Sequence, residues 1–134
     1  MKIHIQGGTL IDPAAGTEQQ QDIFIAAGKI AAIGNAPAEF QAEKTIDAKG
    51  LWITPGLVDL AARLREPGYE HKATLESEMA AALAGGVTSL VCLPDTDPTL
   101  DEPGLVEMLK FRARNLDQAH VYPLGALTVG LKGQ

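Results

Sequence analysis

Apolar positions come in short alternating runs through the first part of the chain and in longer unbroken blocks after it. Lys2 to Gln6 alternates, with Ile3 and Ile5 on one face, and Gly7-Gly8 turns the chain. Thr9 to Ile11 is a second short strand, stopped by Asp12-Pro13. Ala14 to Gln21 is small and polar and reads as a loop. Gln21 to Ala26 and Lys29 to Ile33 form the clearest hairpin, with Ala27-Gly28 at its turn. After a second loop, Lys44 to Ala48 and Leu51 to Thr54 are further short strands around Lys49-Gly50. No helix of useful length fits here, so residues 1–54 are expected to form a small β-sheet layer.

The pattern changes at Pro55-Gly56. Leu57 to Ala61 is apolar without clean alternation, as expected of a strand buried on both faces. Arg65 to Lys72 is a polar loop. Thr74 can cap a helix running to about Ala84, with Glu76 and Glu78 adding charge to its first turn and Gly85-Gly86 ending it. Thr88 to Leu93 is another buried strand, Pro103 to about Asn115 a second helix, and His120 to Leu127 a third strand. The β-loop-α-β-loop-α-β order predicts an α/β fold with a parallel sheet. Its longest polar loops follow the C-terminal ends of strands, where such folds carry their chemistry.

Composition narrows the function classes. Apolar residues make up 46% of the 134, enough for a core. The net charge of −6 repels phosphate backbones, and aromatics at 4% are too few for a base-stacking platform, so no nucleic-acid partner is expected. The basic run Lys110 to Arg114 reads as a solvated helix face. No stretch approaches the roughly 18 apolar residues of a membrane span. Cys92 is the one cysteine, which excludes an internal disulfide and fits a reducing cytoplasm.

Three blocks carry a family resemblance. Pro55-Gly56-Leu57-Val58-Asp59-Leu60-Ala61-Ala62-Arg63-Leu64-Arg65-Glu66-Pro67-Gly68 resembles the first barrel strand of dihydroorotases and related cyclic amidohydrolases, where it reads roughly PG-x-x-D-x-H-x-H-x-R-x-PG. Gly85-Gly86-Val87-Thr88 through Leu93-Pro94-Asp95-Thr96-Asp97-Pro98 is similar to GG-V-T…MPNT-x-P. Leu124-Gly125-Ala126-Leu127-Thr128 is a third, weaker match. The resemblance implies an N-terminal β-sandwich segment over residues 1–54. Over 55–134 it implies the first βα units of a (β/α)₈ TIM barrel, about three strands and two helices of it. A whole barrel needs about 250 residues, so the chain is expected to be a piece of a longer protein.

Two departures decide the functional expectation. The family's metal-binding histidine pair falls on Ala61 and Arg63. Residues two apart on a strand share a face, so an H-x-H pair can serve one metal. A methyl offers no lone pair, and a guanidinium stays protonated. The family zinc is therefore expected to be absent. The second departure is Asp95, where the family usually has an asparagine that holds the substrate carboxylate with an arginine matched here by Arg65. A carboxylate at 95 would oppose that anion, leaving Arg65 and Asp95 as a vestigial substrate site. Arg63 can neutralise acids left in the vacated position, pair with Asp95, or be a neutral replacement.

Other candidates read plainly. His4, His71 and His120 match no family metal position and define no site. Glu66 and Glu70 are expected to be solvated loop carboxylates, and Cys92 a small buried hydrophobe. Gly85-Gly86 follows a helix and precedes a strand, the reverse of a phosphate cradle. With no catalytic residue assigned, the resemblance points to the inactive dihydroorotase homologues needed to assemble aspartate transcarbamoylase, in an oligomer, in pyrimidine biosynthesis. The alternative is an active hydrolase of a cyclic amide, of dihydroorotase, hydantoinase or allantoinase type, with its metal held by residues outside this segment.

Overall fold

The computed structural model describes residues 1–133, which form two compact units, Met1–Pro55 and Gly56 onward.

The first unit holds two small sheets. β1 (Lys2–Gln6), β4 (Ile23–Ala26), β5 (Lys29–Ile33) and β6 (Lys44–Asp47) make one, in the order β5-β4-β1-β6. β2 (Thr9–Asp12), β3 (Thr17–Gln20) and β7 (Trp52–Ile53) make the other, in the order β3-β2-β7. The β4–β5 turn has positive φ at both Ala27 (50°) and Gly28 (72°), the geometry of a two-residue hairpin that matches strand twist. Gly8 is required by packing, because a Cβ there would stand 2.6 Å from the Ile53 side chain and 2.9 Å from the Ala48 methyl.

The stretch expected to be a loop at 14–21 contains β3, antiparallel to β2. All four β3 residues are exposed. An edge strand of this kind is held by its backbone bonds, so it carries no apolar period for a sequence reading to find. Asp12 shapes the turn before it, its Oδ1 accepting the N–H groups of Ala14 and Ala15 at 2.9 and 3.1 Å.

His4 and Asp22 pair in this unit, Nε2 to Oδ2, at 2.8 Å, and His4 stacks on Phe24. Asp22 Oδ1 also accepts the Gly7 N–H at 2.9 Å. The Gly7 N–H and then the His4 ring hold the Asp22 carboxyl below its ordinary range. A lowered folded pKa gives stability that is present above the unfolded carboxylate pKa and lost as pH falls through the folded one. In urea titrations, Asp22→Asn should therefore trail wild type at pH 7, and the gap should close as pH drops below about 4. A gap independent of pH would contradict this account.

The second unit runs β8 (Leu57–Ala62), α1 (Leu75–Ala84), β9 (Val87–Cys92), α2 (Pro103–Leu116), β10 (His120–Pro123) and a short 3₁₀ turn at Val129–Leu131. The strands are parallel in the order β10-β9-β8. Thr74 caps α1 as expected: its Oγ1 accepts the Ser77 N–H, and Ser77 Oγ accepts the Thr74 N–H. Gly85 and Gly86 end α1, their N–H groups bonding to carbonyls of its last turn. The helices pack on the sheet through Leu75, Met79, Leu90, Cys92 and Leu109, all nearly or fully buried.

Two expectations about these strands change. β8 is not buried on both faces: Leu57, Val58 and Leu60 are 56%, 59% and 72% exposed. Among the described residues the strand stands at the sheet edge with β9 as its one neighbour. β10 ends at Pro123 instead of running to Leu127. Leu124 N–H still reaches Cys92 O at 2.9 Å, but Ala126 N–H turns away to Leu100 O at 2.7 Å.

Candidate functional site

The residues singled out by sequence gather at the C-terminal ends of β8 and β9. Along β8 and just beyond it, Ala62, Leu64 and Glu66 are buried at 9%, 2% and 2% exposure. Ala61 and Arg63, between them, are exposed and Arg65 is half-buried. The alternation in exposure thus runs from β8 into the residues that follow it, with Ala62, Leu64 and Glu66 in the core and Ala61, Arg63 and Arg65 more open to solvent.

Ala61 offers only its backbone N–H, which donates to Asp59 Oδ1 at 2.9 Å. Arg63 Nε donates to Asp95 Oδ2 at 2.7 Å, with the two side chains 52% and 40% exposed. Of the roles open to Arg63, pairing with Asp95 is the one formed. So exposed a pair contributes at most about 1 kcal/mol. Arg65 has left-handed backbone (φ 63°), and its guanidinium has no hydrogen-bond partner among the described residues. The pair therefore joins Asp95 to Arg63 and leaves Arg65 alone.

The loops bearing these residues are fastened together beneath the site. Asp97 N–H of the second loop donates to Pro67 O of the first at 3.1 Å, and within the second loop Thr96 Oγ1 donates to Pro98 O at 2.7 Å. Gly68 has φ +94°, and a Cβ on it would lie 2.1 Å from the Asp97 carbonyl oxygen. Gly68→Ala should thus force the two loops apart and cost about 2 kcal/mol or more, read as a lower urea midpoint. An unchanged midpoint would mean that the loops are not held in contact.

Glu66 corrects the expectation of a solvated carboxylate. It is 2% exposed, its Oε2 accepts the Leu75 N–H at the start of α1 at 2.8 Å, and its Oε1 is ion-paired with Arg112 of α2. Sequence reasoning missed both residues. The available signal was the buried phase of Ala62 and Leu64, which continues onto Glu66. Glu70 is exposed, and the Gly68 N–H holds its carboxyl below the ordinary range. Burial raises the Cys92 thiol pKa, as befits a core residue and not a nucleophile.

The donor set does not fit a metal. Position 61 is a methyl, position 63 a guanidinium engaged by a carboxylate. His4 lies in the first unit paired to Asp22, His71 packs edge-on to Tyr69, and His120 is exposed at the start of β10. Among the described residues no three His, Cys, Asp or Glu side chains are grouped to hold a metal ion. No helix among them is long and apolar enough to cross a membrane.

Comparison with known proteins adds independent findings. A family profile described as dihydro-orotase-like matches residues 50–134. Over 134 residues the chain is 54% identical to a "Dihydroorotase-like protein" of Pseudomonas aeruginosa and 52% identical to one of Pseudomonas putida, covering all of this chain and 32% of each relative. It is 42% identical to a "Dihydroorotase" of Syntrophus aciditrophicus, again covering 32% of it. The chain thus spans about a third of the length of these relatives. Among solved structures, L-hydantoinase of Arthrobacter aurescens superposes with a TM-score of 0.76 at 26% identity, covering 92% of this chain and 27% of that one.

Proposed function

Because the chain belongs to the dihydroorotase-like family of cyclic amidohydrolases, we propose that it is part of a non-catalytic dihydroorotase homologue that supports assembly of aspartate transcarbamoylase in pyrimidine biosynthesis. The observation that carries this reading is the Arg63–Asp95 pair. At the position where the family resemblance expects a metal-ligating imidazole, a cation is already committed to a carboxylate. That carboxylate also replaces the asparagine expected to face the substrate. The higher identity to two relatives named dihydroorotase-like than to one named dihydroorotase, 54% and 52% against 42%, points the same way.

In this reading the first unit is a β-sandwich segment and the second opens a (β/α)₈ barrel. The exposed apolar residues of β8 support it, because Leu57, Val58 and Leu60, which lie on both faces of this edge strand, would be covered as further barrel elements close around it. A cytoplasmic, oligomeric protein without catalytic zinc completes the proposal.

A second reading, an active hydrolase of a cyclic amide, is favoured by the relative named dihydroorotase and by the likeness to hydantoinase. It requires metal ligands wholly outside the residues at 61 and 63. Elemental analysis and a dihydroorotate assay on full-length protein purified without chelator separate the two. The non-catalytic reading expects no stoichiometric zinc and no turnover above a no-enzyme control. Stoichiometric zinc with turnover abolished by Arg65→Ala would establish the hydrolase.

A further inference from the structure

We propose that two copies of the chain meet through the outward faces of α1 and α2, with α1 of each against α2 of the other, about a two-fold axis along the groove between the helices. The inference rests on the barrel reading. In a barrel the helices form an outer ring and further elements add at the sheet edges, so no part of the barrel covers these outward faces. Phe111 of α2 is 60% exposed. It lies two residues from each of Leu109 and Ala113, both buried, and so about 200° round the helix from them, pointing away from the sheet. Ser77 stands in the same relation to buried Leu75 and Met79 on α1, and Ala80, Ala81 and Ala84 are exposed beside it. α1 thus presents a flat face of small residues, and α2 a protruding ring.

Charge selects a second copy as the occupant. α1 carries Glu76 and Glu78 and no Lys or Arg, a net −2. α2 carries Lys110, Arg112 and Arg114 against Glu107 alone, a net +2. A uniformly acidic or uniformly basic partner would match one helix and oppose the other, whereas a copy of the chain matches both. Glu76 and Arg112 border one groove from opposite helices. A two-fold axis along that groove exchanges α1 for α2, so Glu76 of each copy faces Arg112 of the other, and each Phe111 meets a small-residue face. Arg112 is 50% exposed, and its ion pair with Glu66 leaves other donors of the fork for a carboxylate across the axis.

Sedimentation velocity of full-length protein over a range of concentrations tests this without the transferase, so its failure leaves the assembly role to be judged by co-expression. The wild type should form dimers that weaken as salt rises. Phe111→Ser, Ala80→Arg and Glu76→Arg all change exposed positions, and each should raise the dimer dissociation constant about tenfold or more with the circular dichroism spectrum unchanged. Cross-linking reads the orientation. Copies carrying Ala80→Cys are mixed with copies carrying Asn115→Cys and treated with a bifunctional maleimide, the native Cys92 being buried. The mixture should cross-link well above either variant alone, because residues 80 and 115 lie on facing helices of different copies. A monomeric wild type, wild-type affinity in Phe111→Ser, or no excess cross-linking in the mixture would overturn the inference. A monomeric wild type whose transferase complex is lost on Phe111→Ser would assign this face to the transferase instead.

Discussion

Glu66→Ala is expected to lower the stability of the protein by about 3 kcal/mol, among the largest effects of any single side chain in the second unit. Glu66 is 2% exposed and joins three parts of the unit: the loop after β8 that carries it, the first N–H of α1 and the Arg112 guanidinium of α2. Its removal leaves the Leu75 N–H buried without an acceptor and Arg112 without its counter-charge. Breaking a buried pair from one side costs about 3–5 kcal/mol. Arg112 is 50% exposed and can turn to water, which places the estimate at the lower end. Glu66→Gln keeps an acceptor for Leu75 but loses the charge at the N-terminus of α1, so it should fall between Ala and wild type. Arg112→Ala should also destabilise, because it leaves a buried carboxylate served by one N–H. Urea denaturation of full-length protein reads all three. A loss under about 1 kcal/mol for Glu66→Ala would show that the carboxylate is dispensable to the fold.

Glu66 also marks where sequence reading stopped short. The hairpin turn at Ala27-Gly28, the Thr74 cap and the double-glycine end of α1 were legible because each depends on residues adjacent in the chain. The parallel strand order followed from the alternation of apolar strands and helices. What escaped depends on partners far along the chain. Glu66 looks like a loop acid until Arg112, 46 positions on, is brought against it (112 − 66 = 46). β3 looks like a polar loop until β2 supplies its backbone partners. Leu57, Val58 and Leu60 look like residues of a strand buried on both faces, yet the described residues provide a neighbour on one side of it alone. At the site, the motif brought Ala61, Arg63, Arg65 and Asp95 to notice. Which arginine Asp95 would take depended on where the β9–α2 loop lies, and no local pattern encodes that.

The second large effect concerns assembly, and it turns on the difference between needing a fold and needing a site. If the full-length protein serves aspartate transcarbamoylase as a scaffold, its surfaces matter and the chemistry at the end of β8 does not. Arg63→Gln and Asp95→Asn remove a half-exposed pair of small energetic value, so both variants should form the complex almost as wild type does. Leu90→Asp should abolish it. Leu90 is 3% exposed on β9, within the core that holds both helices to the sheet. A carboxylate there has no partner and costs several kcal/mol, enough to dismantle a domain of ordinary stability. Val91, the next residue, is half-buried, and Val91→Asp should be milder. Co-expression with the transferase of the same organism, followed by size-exclusion chromatography and a transferase assay, measures all four variants. A transferase that assembles and works equally well with no such protein present would end the scaffold reading. Loss of the complex on Arg63→Gln or Asp95→Asn, with the fold intact, would instead mean that the partner reads the site itself.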